Sequence, residues 1–233
     1  MYDALNKGIR IASGDLIGFL NTDDTYEPGV FSEIQEAFNS HPEMDVVWGK
    51  ADLIKVQGDE KIRLLRSYDT VPHETLLQGL LFGVPCFNAC FFRKRVFDQF
   101  GLLWADLKIA SDREFMIRLA LAGCKIHRLD QVVYHYLAHD DSLTFTQSPI
   151  AKARMAAEEV KIAGHYLNSP NLTALQKRLF QKWHSAKCLA WAFNALQTGD
   201  FHQTSQALKL GFQRNPGLVF SFHLLGWHYH NPQ

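Results

Sequence analysis

The chain has 233 residues, of which 47% are hydrophobic and 21% are charged, and this composition excludes a disordered chain. Its 24 Lys and Arg residues balance its 24 Asp and Glu residues, so we expect no nucleic-acid partner. The four cysteines lack the spacing of a zinc site, and neither a signal peptide nor an apolar run of membrane-spanning length is predicted. We therefore expect a cytoplasmic protein, with peripheral contact to the membrane face left open.

Alternating helical and strand patterns run along the chain to about residue 148. In chain order the predicted elements are helix 2–12, strand 15–20, helix 28–39, strands 45–56 and 61–68, helix 74–82, strand 86–92, helix 93–100, loop 102–111, helix 112–122 and one or two strands within 125–137. This order predicts an α/β fold with a sheet flanked by helices.

The pattern changes near Ser148-Pro149, and almost everything after it has helical periodicity. We therefore predict an α/β domain over 1–148 and an α-helical appendage over 149–233. Within the appendage, 190–216 resembles one tetratricopeptide-like hairpin, and a simple helical cap is the alternative. The aromatic stretch 218–229 is expected either to pack as a terminal helix or to lie at a membrane interface.

The predicted strand 15–20 stops at Asn21-Thr-Asp-Asp24. Ligands of open α/β sheets gather at the carboxyl ends of strands. Two adjacent carboxylates present hard oxygens, which suit Mg²⁺ or Mn²⁺ carrying substrate phosphates. An ordinary turn is the alternative, because Asn and Asp favour turns for local hydrogen-bonding reasons.

Three segments, Met1-Tyr-Asp-Ala-Leu-Asn-Lys-Gly-Ile9, Ala12-Ser-Gly-Asp15 and Gly18-Phe-Leu-Asn-Thr-Asp-Asp24, closely resemble family-2 glycosyltransferases of the GT-A fold. The resemblance implies a partial GT-A, Rossmann-like mixed sheet. It also implies inverting transfer from a nucleotide-diphosphate sugar to a glycan or lipid-linked acceptor, in polysaccharide and cell-envelope biosynthesis. By the same resemblance Asp23 and Asp24 hold the metal and the donor diphosphate, with Asn21 and Lys7 as further donor contacts. Many members of the family have Asp in place of Asn21, so this contact lacks the usual charge.

A second acidic position opens the predicted helix 112–122, in the stretch Ile109-Ala-Ser-Asp-Arg-Glu-Phe-Met-Ile-Arg118. Helix capping alone explains a carboxylate there. The resemblance instead implies that Asp112 is the general base that deprotonates the acceptor hydroxyl. Inverting transfer needs such a base on the face opposite the leaving nucleotide.

Three further positions follow from the resemblance. Asn88 and Arg118 are expected on the acceptor side of the site. His139, after the last predicted strand, is expected to contact the metal or the diphosphate, and an exposed loop histidine is the alternative.

The family's fold opens with a nucleotide-binding strand that has no counterpart in this sequence, and about two βαβ units would be expected before residue 1. We therefore expect weak or no transfer by this chain alone. The alternative function is a truncated, non-catalytic remnant or a protein-interaction module. A phosphate-ester hydrolase is the third hypothesis, and no nucleophile motif supports it.

Overall fold

The computed structural model describes residues 1–57, 60–66, 75–137 and 148–218. The chain divides into two compact units, Met1–His139 and Asp140–Gln233. The predicted domain border at residue 148 stays a prediction, because 138–147 lie outside the described residues.

Helices and strands alternate through the first unit, and the described part of the second unit is helical. The helices of the first unit are α1 (Tyr2–Ile11), α2 (Val30–Ser40), α3 (Leu76–Phe82), α4 (Arg95–Phe100) and α5 (Ser111–Leu121). Its strands are β1 (Leu16–Ile17), β2 (Thr25–Tyr26), β3 (Val46–Gln57), β4 (Glu60–Arg66), β5 (Cys90–Arg93) and β6 (Ile126–Leu137). The second unit contains α6 (Pro149–Leu167), α7 (Ala174–Gln197) and α8 (Phe201–Arg214).

The six strands form one mixed sheet in the order β1-β5-β3-β6-β2, with β4 paired to β3. The central pair, β3 and β6, is parallel, and the other pairs are antiparallel. At the centre, Gly49 of β3 lies so close to Val133 of β6 that a Cβ atom on Gly49 would be 2.3 Å from Val133 Cγ1. The predicted α/β class, with its sheet flanked by helices and followed by a helical appendage, is confirmed.

Three elements differ from their predicted form, and a fourth, β2, was not predicted. The strand predicted over 15–20 is hydrogen-bonded only at Leu16–Ile17, where it pairs with β5. The strand predicted over 86–92 begins with a 3-10 turn, Phe87–Ala89, before β5 starts. Helix α2 begins at Val30 because Gly29 has φ of +82°, outside the helical region. Strand β2 is two residues long, too short for an alternating pattern to reveal it.

An aromatic cluster lies between the sheet and the helices of the first unit. Phe19, which follows β1, contacts Phe87 at a ring-centroid distance of 4.8 Å. On the helical side, Phe97 of α4 stacks on Phe115 of α5 at 5.2 Å. Phe92 of β5 contacts both groups, since its ring lies 5.3 Å from Phe87 and 5.4 Å from Phe97. The cluster therefore joins the strand before the acidic turn to the helix that carries Asp112.

Side-chain caps set the helix boundaries of the second unit. Thr173 and Gln176 form a reciprocal capping box at the start of α7. Gly199, with φ of +73°, reverses the chain, and Asp200 then caps α8 by accepting from the Gln203 amide. Helices α7 and α8 thus form the predicted hairpin over 190–216, and its tetratricopeptide likeness stays a prediction. Residues 219–233 of the aromatic stretch lie outside the described residues.

None of the helices among the described residues is long and apolar enough to span a bilayer.

We expect Gly49→Ala to destabilise the first unit by about 1–3 kcal/mol, because the new methyl group would overlap Val133 in a packed sheet. Gly8→Ala is the matched control, since nothing lies within 4 Å of that position inside α1. It should be neutral or stabilising by up to ~1 kcal/mol. Urea unfolding followed by circular dichroism measures both, and equal effects would contradict the close β3–β6 contact.

Candidate functional site

The turn after β1 is organised around the buried carboxylate of Asp24, which is 6% exposed. Its Oδ2 accepts hydrogen bonds from the Asn21 side-chain amide at 2.9 Å and from the Tyr134 hydroxyl at 2.5 Å. Its Oδ1 accepts from the Leu137 amide at 2.8 Å. Asp24 therefore ties the turn to the end of β6, more than a hundred residues away in the sequence.

The other carboxylate of the turn, Asp23, is exposed, as are Asn21 and Thr22. Asn21 uses its amide nitrogen on Asp24, which leaves its carbonyl oxygen for a ligand. No group of three or more His, Cys, Asp or Glu side chains in the described part of the chain could enclose a metal ion. An oxygen-rich turn with an exposed carboxylate still fits Mg²⁺ or Mn²⁺, since Mg²⁺ is often held by one or two carboxylates with phosphates and water.

Tyr134 is fully buried and links the turn to a third segment. Its hydroxyl donates to Asp24 and accepts from the Asn88 side-chain amide at 2.7 Å. Burial raises the pKa of Tyr134, and the bond to Asp24 raises it further, so the hydroxyl stays a donor. In this structure Asn88 supports Tyr134, and its predicted contact with an acceptor stays a prediction. No role was predicted for Tyr134, because its partners Asp24 and Asn88 are distant in the sequence.

Asp112 is the second residue of α5 and is half-buried. Its Oδ1 accepts from the Arg113 amide at 2.7 Å and lies 3.1 Å from the Tyr2 hydroxyl. Burial raises the pKa of Asp112, opposed by the amide and charge of Arg113 and by Tyr2. The N-cap of the helix is Ala110, which has no capping side chain, so the Asp112 carboxylate is not the cap. A carboxyl group with a raised pKa is closer to the range of a general base near neutral pH.

The two acidic positions lie around the same region of the first unit, next to Cys86. Burial raises the pKa of the Cys86 thiol to about 12, and the charges of Asp24 and Asp112 both contribute to the rise. Both carboxylates are therefore within electrostatic reach of one side chain.

The Arg118 side chain is held by hydrogen bonds to Glu114 and to two backbone carbonyls. Its guanidinium forms a bidentate pair with the buried Glu114, with Nη2–Oε2 at 2.7 Å. It also donates to the carbonyls of Phe100 at 2.5 Å and Leu102 at 2.9 Å. These bonds fix the start of the loop 101–110 onto α5, and the acceptor-side role of Arg118 stays a prediction.

Two predicted site residues remain, Lys7 and His139. Lys7 is exposed on α1 and pairs with Asp3 at 2.8 Å, and its donor role stays a prediction. His139 lies outside the described residues.

Helix α1 holds the same loop from the other side through two buried polar residues. Asn6 donates to the Leu103 carbonyl at 2.8 Å and accepts from the Leu103 amide at 3.0 Å. Tyr2 donates to the Ile109 carbonyl at 2.6 Å. Sequence analysis predicted this helix, but it did not assign a role to either residue.

Comparison with known proteins gives one family over the part of the chain that contains the turn. Residues 1–101 match the model of glycosyl transferase family 2. The O-antigen biosynthesis protein RfbC of Myxococcus xanthus is 28% identical over 141 residues, which is 57% of this chain and 10% of that protein. A glycosyltransferase of Mycobacterium tuberculosis is 32% identical over 129 residues, covering 52% of this chain and 44% of the relative. The chain spans less than half the length of these relatives.

A solved structure shares the fold. The chain is similar to S. aureus TarS 1-349, crystallised in complex with UDP-GlcNAc, with a TM-score of 0.54 and 17% identity. The similarity covers 94% of this chain and 70% of the TarS chain. It supports the GT-A-like arrangement predicted from the sequence.

We expect Asp24→Asn to destabilise the protein by about 1–3 kcal/mol, because an amide nitrogen would replace an oxygen that faces two donors. Asp23→Asn makes the same chemical change at an exposed position of the same turn, so its effect should stay within about 0.5 kcal/mol. Urea unfolding at constant pH measures the difference. Equal destabilisation by the two variants would show that Asp24 does not anchor the turn.

We expect Asp112→Asn to stabilise the protein at pH 7. The raised pKa means that the folded state binds the Asp112 proton more tightly than the unfolded state does. The contribution of Asp112 to folding stability is therefore fully present below its ordinary pKa of 3.8. It is lost as the pH rises through the raised pKa that Asp112 has in the folded state. The gain from Asp112→Asn should shrink as the pH falls towards that ordinary value.

Thermal unfolding across this pH range measures that gain. Asp98→Asn, at an exposed position of α4, is the control and should show no such pH-dependent gain. A stabilisation by Asp112→Asn that is constant with pH would contradict the burial of a charged Asp112.

Proposed function

Because residues 1–101 match the model of glycosyl transferase family 2, we propose that the chain transfers a sugar, with inversion, from a nucleotide-diphosphate-sugar donor to a glycan or lipid-linked acceptor. The observation that carries the proposal is the pair of separate acidic positions around one region. Asp23 and Asp24 follow β1, Asp112 opens α5, and the charges of Asp24 and Asp112 both reach Cys86. Inverting transfer needs this separation, because the leaving group and the acceptor proton are handled on opposite faces of the sugar.

The two carboxylates of the turn have different parts in this proposal. Asp24 is buried and holds Asn21, Tyr134 and Leu137, so it fixes the shape of the turn. Asp23 is exposed and would bind Mg²⁺ or Mn²⁺, with the Asn21 carbonyl oxygen close by in sequence. The metal ion, when bound, neutralises the charge that develops on the departing diphosphate.

Asp112 is the general base in this mechanism. Its Oδ1 is occupied by the Arg113 amide and approached by Tyr2, so we assign Oδ2 to the acceptor hydroxyl. Oδ2 takes the hydroxyl proton while the acceptor oxygen bonds to the anomeric carbon. The bond from that carbon to the diphosphate oxygen breaks at the same time, and the nucleoside diphosphate leaves with the bonding electrons. The raised pKa of Asp112 makes it a stronger base than an exposed aspartate.

The relatives support the class of donor and acceptor. TarS was crystallised with UDP-GlcNAc, a nucleotide-diphosphate sugar. RfbC is named for O-antigen biosynthesis, and relatives in Mycobacterium tuberculosis and Mycobacterium bovis for PGL/p-HBAD biosynthesis. A protein acting on such acceptors would work at the cytoplasmic membrane face, and peripheral contact there is part of the proposal.

A non-catalytic interaction module is the second candidate function. Three large apolar side chains are exposed at the end of the α7–α8 hairpin, Phe193, Leu196 and Phe201, with exposures of 43%, 52% and 72%. Such a surface is typical of a protein contact. In this case the unmodified chain would release no nucleoside diphosphate from any nucleotide sugar, because no transfer would take place.

The test is Mn²⁺-dependent release of nucleoside diphosphate from a panel of nucleotide sugars. The whole chain is used at high concentration, because the sequence predicts weak or no transfer. Asp112→Asn should lower the rate by about 100-fold or more, since general base catalysis typically contributes that much. Asp23→Asn should raise the Mn²⁺ concentration needed for turnover, and Asp98→Asn on α4 should leave both quantities unchanged.

Two results would contradict the proposal. One is turnover by Asp112→Asn at the original rate, and the other is turnover that EDTA does not affect. The anomeric configuration of the product, measured by NMR, separately tests inversion.

A further inference from the structure

Helix α1 contributes one buried hydroxyl to the surroundings of Asp112, and the mechanism above gives it no role beyond its approach to Oδ1. Tyr2 is 2% exposed, and its hydroxyl lies 2.6 Å from the Ile109 carbonyl and 3.1 Å from Asp112 Oδ1. A phenol has one proton, so these two acceptors share it. The same hydroxyl therefore touches the end of the loop 101–110 and the carboxylate that opens α5.

Both hydrogen bonds to the Asp112 carboxylate reach the same oxygen, Oδ1. The Arg113 amide and the Tyr2 hydroxyl both reach Oδ1, from two elements that are far apart in sequence. A carboxylate held through one oxygen by two donors has a fixed plane, and its second oxygen then has a fixed direction. For a general base, this direction decides whether the acceptor hydroxyl is met at hydrogen-bonding distance.

We propose that Tyr2 is a positioning residue for Asp112: its hydroxyl holds Oδ1, so that Oδ2 is presented to the acceptor. The proposal rests on the proposed function for the role of Asp112, and it adds a residue that acts through the base without touching substrate. Ionised Asp112 accepts more strongly than the neutral Ile109 carbonyl, so the bond from Tyr2 tightens in the form that acts as a base.

Within the part of the chain that the structure describes, few other charged or titratable groups act on Asp112. Arg113 lies next to Asp112 on α5. The charge of Asp112 also contributes to the raised pKa of Cys86, which precedes the 3-10 turn. Helix α3 packs against α5, and its residues, Leu76–Phe82, include no titratable side chain. A change in the titration of Asp112 on removing the Tyr2 hydroxyl can therefore be attributed to that hydroxyl.

The experiment is a pH titration of the Asp112 carboxyl carbon by NMR in the whole chain labelled with ¹³C-aspartate. Asp112→Asn assigns the resonance by removing it. In Tyr2→Phe the ionised form loses a donor, so the carboxyl should titrate at a pH higher by roughly half a unit or more. The aromatic ring remains, so the packing of α1 is kept.

Asn6→Ala is the matched control. It releases the same loop at Leu103 without touching Asp112, so its Asp112 titration should coincide with that of the unmodified chain. An equal upward shift in Tyr2→Phe and Asn6→Ala would mean that Tyr2 acts only by anchoring the loop, and would overturn the proposal. An unchanged or lowered midpoint in Tyr2→Phe would also overturn it.

The unmodified chain provides a second measurement if Tyr2→Phe does not fold. The Tyr2 Cζ resonance should shift with the midpoint of Asp112, and this inflection should vanish in Asp112→Asn. A Tyr2 Cζ resonance that does not shift as Asp112 titrates would overturn the proposal.

These readouts do not depend on turnover. If the titrations behave as expected but no nucleotide sugar is turned over, the positioning contact stands and the proposed function fails. Where turnover is measurable, Tyr2→Phe should lower kcat about 10-fold, as loss of an orienting partner typically does, with little change in KM. The acid limb of its pH profile should move upward, and Asn6→Ala should leave this limb in place.

Discussion

The architecture of the site depends on one buried carboxylate, that of Asp24. A carboxylate removed from water is costly unless donors surround it, and here the Asn21 amide, the Tyr134 hydroxyl and the Leu137 amide do so. These donors come from the turn itself and from β6, so they hold an otherwise irregular turn against the centre of the sheet. The neighbouring Asp23 is left exposed on a turn of fixed shape. Adjacent residues of the same type thus differ in burial, and the proposal assigns structure to Asp24 and metal binding to Asp23.

Asp112, the second acidic position, is held by a different set of contacts. Asp112 opens α5, whose other side is fixed by the buried pair of Glu114 with Arg118 and by the aromatic cluster around Phe115. Helix α1 reaches the same place through Asn6 and Tyr2. The Asp112 carboxylate is partly buried as a result. This burial raises the pKa of Asp112 and reduces the stability of the protein at neutral pH. Active sites commonly contain such destabilising groups, because a raised pKa also makes a carboxylate a stronger general base.

Sequence patterns were sufficient for the long elements, because helical periodicity and apolar strand runs report burial directly. The two acidic positions rest on the family resemblance, and their roles stay predictions. Sequence patterns could not tell buried Asp24 from exposed Asp23, since the difference lies in the bonds that Tyr134 and Leu137 donate to Asp24. The antiparallel pairing of β2 with β6 brings these two residues to the turn. The buried polar residues Tyr2 and Asn6 were missed for the same reason, as their partners are about a hundred residues away. The 3-10 turn at Phe87–Ala89 has no periodic signal, so it was predicted as strand.

The central claim is that Asp24 shapes the turn while Asp23 presents an oxygen to a metal carrying the donor phosphates. Paramagnetic broadening by Mn²⁺ in the presence of UDP, recorded on the ¹⁵N-labelled chain, tests it most directly. The amides of Thr22 and Asp23 should broaden first, and Asp23→Asn should abolish this broadening while leaving the spectrum of the folded chain otherwise intact. Broadening centred away from the turn, or unchanged in Asp23→Asn, would contradict the account.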